Sequence, residues 1–275
     1  MNVNTLNSNN NVFDSVVLPP RMADVSFWVT PDHTTFDASG LVSDMYDLSG
    51  RGNHLAQGDA AEKPTVGVTA GQFNGRRVIK FEHSGSDIKH LEHTTMDLQN
   101  VFGTSVSATV DPEFTIAMVV NETANSAGPE IYFSLEENTT SDPDKVYLYR
   151  HRQGAAFRVN GDDAQFDTSQ LEFTAGTAVT SIATLSDIGS SMEFHAWIGG
   201  TACDWDDADI GVNYPCDPNN LMSPLTGYTL TLGCDRQQGN EWYGEVAECI
   251  VWKGEHSAAE RTETLNYLRD KWGCN

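Results

Sequence analysis

The densest set of groups that could bind a ligand lies between residues 203 and 216. Four carboxylates occur within residues 204–209, and two aromatic side chains accompany them. Carboxylate oxygens suit Ca²⁺, and an aromatic face beside Asp and Asn is typical of a sugar site. The run lacks the Asp-x-Asp-x-Asp-Gly spacing of a calcium loop, so an exposed acidic loop is the alternative interpretation. The candidate glycan contacts in this run are Trp205, Asp206, Asp207 and Tyr214.

Trp242 is a further candidate glycan contact. It precedes an apolar pattern typical of a strand, and that pattern favours packing in the core as the alternative. Glu245 and Glu248 follow on the same predicted strand. Because they are three positions apart, regular alternation predicts that they point to opposite faces of the sheet.

Motifs of common catalytic and metal sites are absent from the sequence. It contains no Gly-x-Ser-x-Gly, His-Glu-x-x-His, Gly-x-Gly-x-x-Gly, Walker or Cys-x-x-Cys motif. His90 and His93 form the only close histidine pair, and their spacing of three suits a helix face. The surrounding pattern indicates a strand or loop, so we predict no metal site there. We expect a protein that is not an enzyme.

Charge and hydropathy exclude two kinds of partner. The 275 residues include 16 basic and 39 acidic side chains, which gives a formal net charge of −23. Nucleic-acid binding requires a basic surface, and membrane insertion requires apolar stretches much longer than 116–120, among the longest here. We therefore expect no nucleic-acid partner and no membrane insertion. An apolar fraction of 39% is sufficient for one sizeable core.

The five cysteines are odd in number and sparse for this length, unlike those of a disulfide scaffold. Cys203 and Cys216 are the best candidate pair, which would close the acidic loop, and the sequence leaves their redox state open. Cys249 lies within an apolar strand pattern. We expect it to be a buried free thiol.

Residues 1–20 form an Asn- and Ser-rich N-terminal arm that ends in two prolines. It shows no basic region followed by an apolar one, so we expect no secretory signal here. Polar segments without a core usually become ordered on binding. We expect the arm to dock on its own body or on a neighbouring subunit, as in a homo-oligomer. The apolar residues expected to anchor it are Val12, Phe13, Val16, Val17 and Leu18.

Residues 21–275 are predicted to form one β-rich domain with one helix at its end. Short alternating or apolar segments separated by turn formers indicate an antiparallel sandwich or barrel. A capping box at Ser257 and Glu260 begins the helix, predicted over 257–272, and Gly273 ends it. The strands are predicted at 77–82, 114–118, 131–136, 145–150, 155–160, 179–186, 192–199, 228–233 and 242–252.

Three segments of this chain resemble laminin-G-like, concanavalin-A-like jelly-roll domains. They are DLSGRGNH at 47–54 with KPT at 63–65, FNGRRVIKF at 73–81, and WYGEVAECIVW at 242–252 before the helix. Met45-Tyr46 stands where many members carry Trp. The resemblance covers about residues 25–273 and implies an all-β jelly-roll sandwich. Glycosidases of this fold resemble one another in a Glu-x-Asp-x-Glu strand, which this chain lacks.

Two functions follow from these expectations. The first is a non-enzymatic structural protein of a virus particle, a phage above all. Its arm would dock on a capsid or tail protein, and its lectin-like domain would decorate the virion surface for adhesion or shell stabilisation. The alternative is a free or secreted carbohydrate-binding lectin, which would be extracellular. Ca²⁺ is its candidate cofactor. The residues 47–53 are typical of a tight structural turn rather than a ligand loop.

Overall fold

A computed structural model describes eleven segments of the chain. They are residues 17–82, 87–102, 113–123, 130–138, 145–151, 154–159, 162–165, 174–187, 192–202, 226–238 and 240–274. Most of their ordered backbone is β-strand, and the strands form two antiparallel sheets.

The described part of the chain contains two α-helices, α1 Leu98–Phe102 and α2 Ala258–Trp272, and short 3₁₀ turns at Pro31–His33 and Phe73–Gly75. The strands are β1 Val25–Val29, β2 Thr34–Phe36, β3 Val42–Met45, β4 Leu55–Ala56, β5 Thr65–Val68, β6 Arg77–Phe81, β7 Leu91–Asp97, β8 Phe114–Glu122, β9 Glu130–Glu137, β10 Lys145–His151, β11 Gly154–Val159, β12 Asp162–Gln165, β13 Val179–Asp187, β14 Met192–Ile198, β15 Thr201–Ala202, β16 Thr226–Leu232 and β17 Gly244–Lys253.

The two sheets enclose one central core. The eight-stranded sheet has the order β15-β14-β13-β8-β17-β6-β5, with β1 also paired to β17. The nine-stranded sheet has the order β12-β11-β10-β9-β16-β7-β4-β3-β2. Inward side chains of both sheets, such as Ile116 and Leu230, are fully buried between them. The predicted all-β antiparallel jelly-roll sandwich with a C-terminal helix is confirmed.

Helix α2 covers the outer face of the eight-stranded sheet. Leu268 and Trp272 of the helix pack with sheet residues such as Val119 and Ile250 in a second buried cluster, the outer cluster. All nine positions of β8 are consequently buried, although its alternating sequence is typical of a strand with one wet face. The predicted capping box is confirmed, and Gly273 ends the helix with φ +63°.

The prediction that Glu245 and Glu248 point to opposite faces is wrong. A β-bulge lies between Val246, which pairs with Val120 of β8, and Glu248, which pairs with the preceding Val119. The extra residue in β17 places both carboxylates on the face that α2 covers. Glu245 bonds Asn121 there at 2.7 Å, and Glu248 lies beneath the helix.

The described end of the arm contacts the body of its own chain. Leu18 packs partly against the outer cluster, and Trp252 donates its indole N–H to the Pro20 carbonyl at 2.9 Å. Val17 is 51% exposed, and its carbonyl oxygen lies 3.2 Å from the Tyr267 hydroxyl of α2. Residues 17 and 18 therefore lie beside α2. The other predicted anchors, Val12, Phe13 and Val16, lie outside the described residues.

His256, at the start of α2, makes the fold sensitive to acid. Its ring is fully buried 4.8 Å from Trp252, and burial lowers its pKa to about 4. When the pH falls below the usual histidine pKa of 6.5, His256 therefore becomes protonated in the unfolded chain but stays neutral in the folded chain. We expect this group to contribute about 2 kcal/mol of unfolding free energy at pH 7.5 that is lost by pH 5.

Denaturant unfolding at the two pH values tests this expectation with His256→Phe, which keeps a ring that does not titrate. The variant should lose about 2 kcal/mol less than the parent chain on acidification. Equal losses in both proteins would contradict the assignment to His256.

Candidate functional site

A polar pocket of about 290 Å³ lies between β4 and β7 of the nine-stranded sheet. Ala56 pairs with Glu92 across these strands. Because the preceding residues Leu55 and Leu91 belong to the central core, Ala56 and Glu92 face outward. This β4–β7 pocket is lined by His54, Ala56, Gln57, Gly58, Glu92, His93, Thr94 and Thr95.

The turn before β4 positions the first lining residue. The buried Asp47 carboxylate accepts backbone N–H groups of Trp28, Ser49 and Asn53 at 2.9–3.1 Å, and the Ser49 hydroxyl at 2.8 Å. The Asp47 N–H in turn donates to Nδ1 of His54 at 3.0 Å. The predicted structural role of this turn is supported, and the turn also orients a pocket histidine.

The two pocket histidines present different groups. Nδ1 of His54 accepts the Asp47 N–H, so in the neutral ring Nε2 carries the hydrogen. Nδ1 of His93 lies 2.9 Å from the His54 carbonyl oxygen, so it carries the hydrogen and Nε2 is an acceptor. These tautomers are inferred from hydrogen-bond partners.

Several other polar groups of the pocket are available to a ligand. Within the described part of the chain, no group hydrogen-bonds the Glu92 carboxylate or the hydroxyls of Thr94 and Thr95. Thr94 and Thr95 are exposed, and Glu92 is half-buried. The pocket therefore offers both donors and acceptors, which is the requirement for binding a polyhydroxylated molecule.

His90 and His93 have separate roles and do not converge. His90 is 2% exposed, and its Nε2 lies 2.8 Å from Nε2 of Gln57. The side-chain amide oxygen Oε1 of Gln57 accepts the Asp59 N–H at 2.9 Å. His90 thus supports the pocket floor, while His93 lines the pocket. Among the described residues, no group of three His, Cys, Asp or Glu side chains could hold a metal ion.

Removing the Asp47 carboxylate should loosen both the turn and the pocket. In Asp47→Ala the buried N–H groups of Trp28 and Asn53 lose their acceptor, so we expect a loss of about 2 to 3 kcal/mol in unfolding free energy. Asp37→Ala is a matched control, because Asp37 caps two N–H groups of an exposed turn at 2.8 and 3.0 Å. It should cost less than about 1 kcal/mol by denaturant unfolding. Similar costs for the two variants would contradict this account.

Trp242 requires a correction. Its side chain is fully buried in the central core, with its ring 5.3 Å from that of Tyr132, so it has no surface for a glycan. Core packing, the alternative that the sequence favoured, is what the fold shows. The other candidate glycan contacts, Trp205, Asp206, Asp207 and Tyr214, lie outside the described residues, as does the possible Cys203–Cys216 pair. Cys249 is the expected buried free thiol.

Sequence reasoning did not find the β4–β7 pocket. Its lining comes from residues 54–58 and 92–95, which are separated by more than thirty positions and meet only through strand pairing. Two sequence signals lie at these two segments, the DLSGRGNH turn and the pair of histidines. Neither signal indicated that the two segments come into contact.

Comparison with solved structures shows the fold. A Trypanosoma rangeli sialidase in complex with 2,3-difluorosialic acid matches with a TM-score of 0.53 and 10% identity over 98% of this chain and 36% of the sialidase. Another structure of that sialidase matches with a TM-score of 0.51 and 12% identity over 90% and 33% of the two chains. The chain thus spans about a third of these enzymes. At such identities the likeness concerns the fold alone.

A Ruminococcus gnavus sialidase CBM40 module bound to α2,3-sialyllactose matches less well, with a TM-score of 0.44 and 13% identity over 70% of this chain and 95% of that module. No protein-family model matches the chain, and no curated protein matches it in sequence. No helix in the described segments has the length and apolar character of a membrane span.

Proposed function

We propose that this protein is a non-enzymatic adhesion protein that binds a saccharide in the β4–β7 pocket and is held on a larger assembly by its N-terminal arm. One observation carries the proposal: the pocket and the described end of the arm, residues 17–20, lie on opposite outer faces of the sandwich. The pocket belongs to the nine-stranded sheet, whereas Leu18 and Pro20 pack beside α2 on the eight-stranded sheet. A domain that is attached by the face with α2 can therefore expose the face with the pocket to a ligand.

A saccharide fits the chemistry of the pocket. Sugars carry hydroxyl groups that both donate and accept hydrogen bonds, and the pocket offers the Glu92 carboxylate, two threonine hydroxyls and two imidazoles. Its volume of about 290 Å³ is at the lower end of small-molecule sites, which suits one or two sugar units. A non-enzymatic role accords with the absence of a Glu-x-Asp-x-Glu strand from the sequence.

The assembly that we propose is a virus particle, with the arm on a capsid or tail protein and the pocket facing outward. The apolar anchors of the arm would supply buried area in that contact, and the polar remainder would become ordered on docking. Such a protein would lie at the virion surface. This setting rests on the arm and on the lectin-like fold, which is an analogy at the level of fold.

Density-gradient sedimentation of the native source, with mass spectrometry of the fractions, tests the tether. The full chain should travel with large particles, and a chain lacking residues 1–16 should remain near the top of the gradient. Val17 and the residues that contact the body are kept in this deletion. Sedimentation of both chains as small species, or of both with particles, would contradict anchoring by the arm.

A free or secreted lectin is the second candidate. It is supported by the position of the described pocket-lining residues, which all lie in the body of the domain and not in residues 1–16. In this case deletion of residues 1–16 leaves glycan binding and sedimentation unchanged. Trp205→Ala then tests whether the acidic loop at 203–216 contributes, because glycan affinity should fall if Trp205 contacts the sugar.

A further inference from the structure

The charge of the β4–β7 pocket indicates what kind of saccharide it takes. Among the described lining residues Glu92 is the only charged side chain when the histidines are neutral, and none of these residues is Lys or Arg. A carboxylate-bearing sugar, such as a sialoside, would meet this carboxylate without a cation to offset it. Like charges at close range disfavour binding, so the lining selects against anionic sugars.

The surroundings of Glu92 are acidic as well. The pKa of the nearby Cys234 thiol is raised by burial and then by the carboxylates of Asp235, Glu136, Glu92 and Glu241. By strand register Glu92 pairs with Thr231 and Glu136 pairs with Thr229, so both carboxylates lie on the outer face of the nine-stranded sheet. Glu136 is 1% exposed and accepts the Arg236 backbone N–H at 2.6 Å, and Asp235 accepts from Asn240 at 2.9 Å. Glu92 is thus the member that faces the pocket with no bond from a described group.

Glu92 and the neighbouring His93 both present acceptors among the lining residues of the pocket. No described group bonds the Glu92 carboxylate, and His93 Nε2 is an acceptor because Nδ1 donates to the His54 carbonyl oxygen. An ammonium group carries three donors and no acceptor, so it matches the Glu92 carboxylate, which only accepts, better than a hydroxyl does. Hydrogen bonds between charged partners are about twice as strong as neutral ones.

We propose that the β4–β7 pocket is specific for saccharides with a free amino group and discriminates against anionic ones, with Glu92 binding the ammonium. This inference rests on the proposed saccharide-binding function and names the class of ligand for the same site. Thr94 and Thr95 then bind ring hydroxyls beside the amine, and the His54 Nε2–H donates to a further oxygen of the sugar.

Isothermal titration calorimetry of the full chain at pH 7.5 tests the specificity with three probes. They are a methyl glucosaminide, its N-acetyl derivative and α2,3-sialyllactose. The amine should bind about tenfold more tightly than the N-acetyl sugar, and sialyllactose should bind least. The preference should shrink as salt is raised, because added ions screen the Glu92 charge.

Two variants separate the local charge from the net charge. Glu92→Gln should abolish the preference, so that the amine and the N-acetyl sugar bind about equally well. The amide of Gln keeps the shape of the Glu92 side chain and lacks its charge. Glu263→Gln removes one charge from an exposed site on α2 and should leave the tenfold preference unchanged. Equal loss of preference in both variants would overturn the assignment to Glu92.

The outcomes distinguish this inference from the proposed function. Tighter binding of the N-acetyl sugar or of sialyllactose would overturn the specificity and leave saccharide binding standing. Failure of all three probes to bind would overturn both. A preference for the amine that Glu92→Gln abolishes and Glu263→Gln retains would support both.

Discussion

Glu248→Ala should be among the most destabilising single substitutions in this protein. The carboxylate is fully buried beneath α2 and accepts from the indoles of Trp28 and Trp272 at 2.7 and 2.5 Å. It also accepts from the Tyr267 hydroxyl at 2.9 Å and from Lys271 Nζ at 2.8 Å. Removing it leaves the Trp28 and Trp272 indoles without an acceptor and the buried Lys271 ammonium without its counter-charge, while the Tyr267 hydroxyl keeps the Val17 carbonyl oxygen. We expect a loss of about 4 kcal/mol or more of unfolding free energy.

A double-mutant cycle with Lys271→Met isolates the ion pair. The Lys271 side chain is 6% exposed, and its ammonium lies 5.2–5.6 Å from the ring centroids of Trp28, Tyr267 and Trp272. In Glu248→Ala with Lys271→Met no buried charge remains, so the double variant should be more stable than the sum of the two losses predicts. Denaturant unfolding measures all four proteins. A loss below about 1 kcal/mol in Glu248→Ala, or strict additivity, would contradict the role of this pair.

Gly233→Ala should be nearly as damaging. Gly233 follows β16 with φ +100°, and an added Cβ would lie 2.3 Å from Phe81 Cδ1 and 2.7 Å from the Lys89 carbonyl oxygen. Phe81 is fully buried in the central core, so it has little room to move. Backbone strain and overpacking together should cost about 3 to 5 kcal/mol in unfolding free energy.

Gly227→Ala is the matched control for Gly233→Ala. Gly227 also has a positive φ, +86°, but nothing lies within 4 Å of an added Cβ. It should therefore lose only the backbone term of about 1 to 2 kcal/mol. Thermal or denaturant unfolding of both variants gives the difference that the close contact with Phe81 causes. Equal losses of unfolding free energy in Gly233→Ala and Gly227→Ala would contradict a cost of the contact between the added Cβ and Phe81.

The sequence was informative where local patterns decide the structure. Helix α2 was predictable because Ser257, Glu260 and Gly273 determine its ends through local hydrogen bonds and backbone conformation. The expected strands at 77–82 and 192–199 occur as β6 and β14 with nearly the same bounds. Alternation also indicated β8, although it gave no sign that α2 would bury the outer face.

The sequence was uninformative where distant segments meet. The bulge in β17 changes which face of the sheet Glu248 occupies. The sequence does not indicate this bulge, because residues 246–248 contain no glycine or proline. The β4–β7 pocket depends on the pairing of Ala56 with Glu92, which no local pattern encodes. Trp242 resembled a glycan contact by its residue type, and only the fold decided that it packs on Tyr132.

Titration of isotope-labelled full chain with the methyl glucosaminide, followed by backbone amide NMR, tests the central claim most directly. The account predicts shifts centred on residues 54–58 and 92–95, with the amides of α2 on the opposite face unchanged. Glu92→Gln should weaken the response, and Glu263→Gln should not. Shifts confined to other parts of the chain, or no shifts with any saccharide probe, would contradict a saccharide site at the β4–β7 pocket.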